Sequence, residues 1–139
     1  MLLLDTHAWI WIVEGDVRRV GRRARRLLSQ AESRDAVRIS SATVFEVVAL
    51  HTAGRLRLAR PPEQWIRDAL EAEGVRLAPL SADIALDAGA VPRAALADPL
   101  DRLLVATARQ LDATFVTSDV RILEYAATTG NVRIHDAGT

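Results

Sequence analysis

Apolar positions along the chain fall into two patterns, short continuous runs and stretches with helical spacing. Met1–Leu4 is a continuous apolar run, as is typical of a strand buried on both faces. We predict strands at Met1–Leu4, Val37–Ser40, Val75–Ala78 and Ala113–Val116, with a final edge strand at Val132–His135. Because these runs alternate with helical patterns, the sequence predicts an α/β fold with a mostly parallel sheet and right-handed crossovers.

The predicted helices begin and end at recognisable capping signals. We predict helices over Thr6–Val13, Arg18–Ala31, Ser40 or Ser41 to Ala53, Pro62 to about Leu70, Ser81–Ala90, Asp98–Leu111, and a short one after Asp119. The stretch Val91–Ala97 is expected to be a loop over one edge. No repeat, low-complexity segment or linker interrupts the pattern, so we expect residues 1–139 to form a single domain.

Composition narrows the class of protein. Half of the residues are hydrophobic, there are no cysteines, and no apolar run is long enough for a membrane span. No basic region precedes the short apolar start, so we expect a soluble, cytoplasmic protein with no signal peptide. All eighteen basic residues are arginine, which excludes receiver domains and P-loop phosphate binding, because both need a lysine.

Acidic residues occur where the carboxyl ends of the predicted strands should lie. Asp5 ends the first strand, Asp119 follows the fourth, and Glu46 lies in the helix after the second. Asp98 and Asp101 begin the helix that leads into the fourth strand. Because ligands of open α/β sheets bind outside the carboxyl ends of the strands, we expect these acids to converge on one rim.

Such a cluster of carboxylates is tolerated when a divalent cation compensates the charge. Oxygen-only ligands suit Mg²⁺ or Mn²⁺, and such a site favours phosphodiester hydrolysis. Each acid also has a purely structural interpretation. In that interpretation Asp5, Asp98 and Asp119 are helix N-caps, and Glu46 is exposed to solvent on an otherwise apolar helix. The sequence leaves these alternatives open.

Four motifs resemble those of the PIN domain and, within that superfamily, of the VapC-type toxins of toxin–antitoxin pairs. They are Leu2–Trp11 with its Asp-Thr-His core, Ser41–Val47, Asp98–Ala108 and Phe115–Asp119. Leu100 replaces a phenylalanine usual in the third motif. Each motif is weak alone, but all four occur in the family order over nearly the whole chain.

The resemblance implies a three-layer PIN-like fold with a parallel five-stranded sheet flanked by helices. It also implies an endoribonuclease that requires Mg²⁺ or Mn²⁺, cleaves a structured RNA such as tRNA or rRNA, forms a homodimer and is neutralised by a small antitoxin. By motif, the catalytic residues are Asp5, Glu46, Asp101 and Asp119. The metal ligands are Asp5, Asp101, Asp119 and Asp98, and which of Asp98 and Asp101 contacts the metal directly is left open.

Other polar residues near the motifs have less specific predictions. Thr6, Thr117 and Ser118 are placed to hydrogen-bond a carboxylate or a metal-bound water, and we group them with Arg102 as substrate-binding candidates. Arg102 alternatively pairs with a site acid. His7 is a possible general acid, although a helix-capping or supporting role is favoured. The alternative function is a catalytically inactive PIN-like module that binds RNA or a protein.

An arginine-rich helix is the remaining charged feature. Its arginines are Arg18, Arg19, Arg22, Arg23, Arg25 and Arg26. They indicate an RNA-tracking face, a surface for an acidic antitoxin segment, or simply a solvated helix. Trp9, Trp11 and Trp65 are expected to be core or interface residues.

Overall fold

The computed structural model describes residues 1–139 as five strands and seven helices in alternation. The strands are β1 (Leu2–Leu4), β2 (Val37–Ser40), β3 (Val75–Ala78), β4 (Thr114–Thr117) and β5 (Ile134–Asp136). The helices are α1 (Thr6–Glu14), α2 (Arg22–Ser33), α3 (Ser41–Thr52), α4 (Pro62–Leu70), α5 (Ala82–Ala90), α6 (Pro99–Gln110) and α7 (Val120–Thr129). The predicted α/β class is confirmed.

The five strands form one parallel sheet in the order β3-β2-β1-β4-β5. β1 is central, and its side chains alternate between two cores, as the two-residue period of a strand requires. Leu2 and Leu4 pack into the core formed with α1, α2 and α4, whereas Leu3 packs into the core formed with α6 and α7. The sheet is therefore the middle of three layers, as predicted.

Aromatic packing anchors the core on the α1 side of the sheet. Trp9 and Trp65 are both buried, and their rings meet edge to face with centroids 5.1 Å apart. The indole nitrogen of Trp65 donates a hydrogen bond to Glu14 at 3.0 Å, which satisfies the polar atom of an otherwise buried ring. These two tryptophans are core residues, as expected.

The start of α2 differs from the prediction. Arg18 and Arg19 lie in a turn, and the helix begins only at Arg22. Gly21 is its N-cap and packs directly against the backbone of Thr139, where a Cβ would come within 2.2 Å of a carbonyl carbon. The Arg23 amide donates to the Thr139 carbonyl at 2.9 Å. A contact this distant in sequence overrides the local helical pattern.

The remaining element boundaries agree with the prediction to within one or two residues. β4 lies one residue later than predicted, β5 begins two residues later and ends one residue later, and the predicted loop Val91–Ala97 contains no helix or strand. Between the two candidates for the cap of α3, Ser40 holds the position and accepts a hydrogen bond from the Ala42 amide at 3.0 Å. None of the seven helices is long and apolar enough to cross a membrane.

Candidate active site

Asp5 stands at the centre of the carboxyl edge of the sheet, directly after β1. It is the N-cap of α1, and its Oδ1 accepts a hydrogen bond from the Thr6 amide at 2.8 Å. Its Oδ2 accepts a hydrogen bond from the Thr117 hydroxyl at 2.5 Å. Only 8% of Asp5 is exposed, and this burial raises the pKa of its carboxyl despite the two hydrogen bonds.

Glu46 reaches the same edge from the second turn of α3. It is half-buried, and its Oε1 accepts a hydrogen bond from the hydroxyl of Thr6, a residue with no exposed surface. Glu46 is close enough to Asp5 to raise the pKa of the Asp5 carboxyl by charge repulsion. The alternative of a simply solvated glutamate is therefore wrong, because the structure holds this side chain beside the other acids.

Asp98 and Asp119 are both helix N-caps at this rim. Asp98 Oδ1 accepts from the Leu100 amide at 2.8 Å, and Asp119 Oδ1 accepts from the Arg121 amide at 2.8 Å. The caps use Oδ1 in both cases and leave Oδ2 without a protein hydrogen bond. One carboxylate can therefore cap a helix and still bind a ligand. The capping role of Asp98 and Asp119 does not exclude a role at the site.

Asp101 lies among the other four acids, in the first turn of α6. Burial raises its pKa to about 7 from an ordinary 3.8, and repulsion from Asp98, Asp119, Asp5 and Glu46 adds to the shift. No arginine relieves this repulsion, because none of the six ion pairs in the structure includes a rim acid. The predicted convergence of all five acids is confirmed.

The chemistry of this donor set fits a divalent cation. Five carboxylates with no cationic partner, one of them with a pKa near neutrality, form the surroundings that a hard cation relieves. No three of the side chains are close enough in this structure to hold one ion.

Thr6 and Thr117 donate hydrogen bonds to two of the rim carboxylates. Both are fully buried, and their hydroxyls donate to Glu46 and Asp5, respectively. Thr117 also accepts a hydrogen bond from the Asp119 amide at 3.1 Å, so it joins two of the acids. The sequence allowed these hydroxyls to hydrogen-bond either a carboxylate or a metal-bound water. In the structure both of them donate to a carboxylate. Contact of either residue, or of the half-buried Ser118, with substrate stays a prediction.

The two arginines nearest the rim differ in their partners. Arg102 lines a cleft between α5 and α6 with Ala85 and Gly89, and its guanidinium donates to the Ala97 carbonyl at 3.4 Å. It forms no ion pair, so the predicted alternative of pairing with a site acid is wrong. Arg121, in the first turn of α7, was missed from the sequence. Its position two residues after Asp119 was the available signal.

His7 lies near Asp5 on α1, and the arginine-rich segment forms α2 and the turn before it. His7 is exposed in the first turn of α1, and the helix-capping role favoured for it belongs to Asp5. A role for His7 as general acid stays a prediction. Arg22, Arg23, Arg25 and Arg26 are exposed on α2, while Arg18 and Arg19 are exposed in the turn before it.

A PIN domain model matches residues 2–128 of the chain, which includes β1 to β4 and all five rim acids. The chain belongs to the PIN domain family. The resemblance of the four motifs to this family is thereby confirmed, and in the structure these motifs are the segments that carry the rim acids.

The chain is similar in sequence to a known ribonuclease and similar in fold to solved toxin–antitoxin structures. The chain is 31% identical over 121 residues to Ribonuclease VapC22 of Mycobacterium tuberculosis, a match that covers 87% of this chain and 88% of the relative. VapBC2 from Rickettsia felis, solved with a promoter DNA fragment, superposes with a TM-score of 0.68 at 15% identity over 96% of each chain.

A second solved structure, the DNA-bound VapBC from Salmonella typhimurium, gives a TM-score of 0.66 at 22% identity over 97% of this chain and 96% of the other. At these identities the two solved structures show a shared fold. The predicted three-layer PIN-like architecture is confirmed.

Proposed function

We propose that this PIN domain is an endoribonuclease that hydrolyses RNA phosphodiester bonds and acts as the toxin of a toxin–antitoxin pair. The observation that carries the proposal is the rim of five carboxylates, complete and without any arginine partner. The relative that is 31% identical is a ribonuclease of the VapC group. An inactive binding module would not need to keep five repelling acids on one rim, because their repulsion costs stability.

The proposed cofactor is Mg²⁺ or Mn²⁺, held by Asp5, Asp98, Asp101 and Asp119. When bound, the ion polarises the phosphodiester and lowers the pKa of a water molecule. Asp5 is fixed by two hydrogen bonds, and Asp98 and Asp119 each keep one oxygen without a protein partner. The protein thus presents oxygen atoms from the end of β1 and from the starts of α6 and α7.

Glu46 is the residue placed to move a proton. The Thr6 hydroxyl holds its Oε1, and its Oε2, which has no protein partner, would accept a proton from an attacking water. Because Thr6 is fully buried and begins α1, its hydroxyl has little freedom to move and holds the Glu46 carboxylate in place. The catalytic assignments to Asp5, Glu46, Asp101 and Asp119 are part of this proposal.

The test is incubation of the purified chain with total RNA and Mg²⁺ or Mn²⁺. We expect discrete fragments, which EDTA abolishes, and we expect the Asp5→Asn variant to cut at least about 10²-fold more slowly. Asp112→Asn is the matched control, since Asp112 is exposed, pairs with Arg133 and lies outside the rim. If the wild type and Asp5→Asn leave RNA equally intact in both metals, the function is a binding module instead.

The proposed regulatory partner is a small antitoxin with an acidic, partly apolar segment. A cleft of about 180 Å³ between α1 and α2 is lined by apolar side chains, among them Trp11, Val17 and Leu28, and by Arg25. The exposed arginines of α2 and the preceding turn surround it. This combination of apolar lining and positive charge suits such a segment.

A homodimer is also part of the proposal. Phe45, Val48 and Ala49 lie on one face of α3 and are exposed, Phe45 to 64%. Val47 and Trp9, in contrast, are core residues, so the apolar surface available for self-association is the Phe45 face. Light scattering of the wild type and Phe45→Glu tests it, with a shift from dimer to monomer expected.

Domain organisation and location complete the proposal. Residues 1–139 act as one domain, because β1 and β5, from opposite ends of the chain, belong to the same sheet. The protein acts in the cytoplasm, where a tRNA or rRNA substrate is found.

A further inference from the structure

A cleft of about 440 Å³ runs along α7 on the flank of the protein. One wall is the loop segment 94–97, and the other is the face of α7 that carries Arg121, Glu124 and Thr128. One end of the cleft is next to the acidic rim in the chain, because its lining residues Ala97 and Arg121 lie one residue before Asp98 and two residues after Asp119. It is therefore adjacent to the proposed site of hydrolysis.

Arg121, at the mouth of the cleft, has no protein partner for its charge. Its guanidinium takes part in none of the side-chain hydrogen bonds or ion pairs of the structure, and the residue is exposed. A cation in the first turn of a helix faces the positive end of the helix dipole, which is unfavourable. An arginine kept there, beside the rim, is suited to bind a phosphate group of an entering strand.

Glu124 lies one turn further along the same face of α7. Its carboxylate also has no ion pair, and it accepts hydrogen bonds only. Thr128 follows after another turn, whereas the hydroxyl of Thr129 already donates to the Tyr125 carbonyl at 2.8 Å. The opposite wall is made of Ala94, Ala95, Leu96 and Ala97, and the small side chains of its three alanines leave room for a flat ring.

We propose that this cleft binds the nucleotide next to the cleaved phosphodiester, with Arg121 on its phosphate and Glu124 on its base. The inference rests on the proposed ribonuclease function. A carboxylate reads N–H donors on the Watson–Crick edge of an unstacked base. Guanine presents two adjacent donors that match the two carboxylate oxygens, whereas uracil presents one donor between acceptors. Glu124 therefore favours guanine at this position.

The experiment uses a pool of single-stranded RNA with a randomised central segment, cut by the full chain in Mg²⁺. Fragment ends are sequenced, and KM and kcat are measured. We expect Arg121→Ala to raise KM about tenfold with kcat little changed, as for loss of one phosphate contact. We expect Glu124→Gln to remove the enrichment of guanine beside the cut, because an amide no longer offers two acceptors.

Matched controls are Arg34→Ala and Glu71→Gln. Both residues are exposed, lack ion pairs and follow helices that end at the opposite edge of the sheet. If the cleft variants behave like these controls while the wild type cuts RNA, the cleft inference is overturned and the ribonuclease function stands.

If the wild type cuts nothing, the ribonuclease function fails and binding of the same RNA pool decides the inference separately. A tenfold weaker affinity of Arg121→Ala supports an RNA cleft, and an unchanged affinity overturns it. Thermal melting of all four variants verifies that they are folded.

Discussion

The rim acids differ in their surroundings from six acids elsewhere on the protein that pair with arginine. Away from the rim, six acids each face an arginine within 4.0 Å: Asp16, Asp35, Glu63, Asp68, Asp87 and Asp112. The five rim acids face one another and no arginine. The sequence has eighteen arginines and eighteen acids, so the shortage of positive charge is purely local. A fold that pairs six acids elsewhere with arginine leaves all five acids of this rim for a cation from solution.

The largest expected effect on this comparison comes from a substitution that disturbs the orientation of the rim acids and so lowers the rate of RNA cleavage. Thr117→Val removes a hydroxyl that bonds Asp5 and accepts from the Asp119 amide, with little change of shape. We expect kcat for RNA cleavage to fall about 10–100-fold, as for other groups that orient metal ligands. The loss of a hydrogen bond to a buried carboxylate also lowers the free energy of unfolding by about 1–3 kcal/mol.

Thr107→Val is the matched control for this change. Thr107 is equally buried, but its hydroxyl donates to the Leu103 carbonyl within α6. We expect its kcat to equal that of the wild type. A comparable fall in kcat for both variants would mean that the effect of Thr117→Val is one of packing, and would contradict the orienting role.

The second prediction tests the repulsion at the rim through its pH dependence. Because the pKa of Asp101 in the folded protein is about 7, well above 3.8, ionising this carboxyl costs stability as pH rises through that range. In EDTA, we expect Asp101→Asn to raise the free energy of unfolding by about 1 kcal/mol at pH 8, after allowance for solvent screening, and not at pH 4.

Urea denaturation at the two pH values measures this effect, with Asp112→Asn as the control. Addition of Mg²⁺ at pH 8 should stabilise the wild type more than Asp101→Asn, because the variant presents one ligand fewer. An equal gain at both pH values would show that the substitution acts through packing and that the rim acids do not repel as described.

The smallest expected effect is at an acid that already has a partner. Glu63 pairs with Arg67 at 2.8 Å on the exposed surface of α4, one helical turn apart. We expect Glu63→Gln to lower the free energy of unfolding by about 0.5 kcal/mol or less, and salt to remove the difference. A loss above about 1 kcal/mol would mean that an exposed ion pair changes the free energy of unfolding as much as the repulsion at the rim does.

The sheet and the acidic rim could be predicted from the sequence because both depend on local patterns. A buried strand reads as a continuous apolar run, and an acid directly after it is placed at the carboxyl edge by the parallel topology. Asp5 and Asp119 follow from this rule. Asp101 follows from the helix start at Asp98-Pro99, since a helix that leads into a parallel strand must begin at that edge.

Features that depend on contacts between distant residues could not be predicted. The start of α2 depends on the approach of Gly21 to the backbone of Thr139, which no local pattern records. The bond from Thr6 to Glu46 joins residues forty positions apart and fixes which of several roles the threonine takes. Arg121 was overlooked because an arginine in a helix is ordinary until its lack of any partner is seen.

The three tryptophans give this protein two built-in optical reporters. Trp9 and Trp65 are shielded from water, so their emission is blue-shifted and inaccessible to ionic quenchers as long as the fold is intact. Trp11 is half-buried beneath the guanidinium of Arg19, 5.5 Å from its ring centre, at the cleft between α1 and α2. Fluorescence that iodide can quench therefore comes mainly from Trp11, and an unlabelled titration can follow occupation of that cleft separately from unfolding.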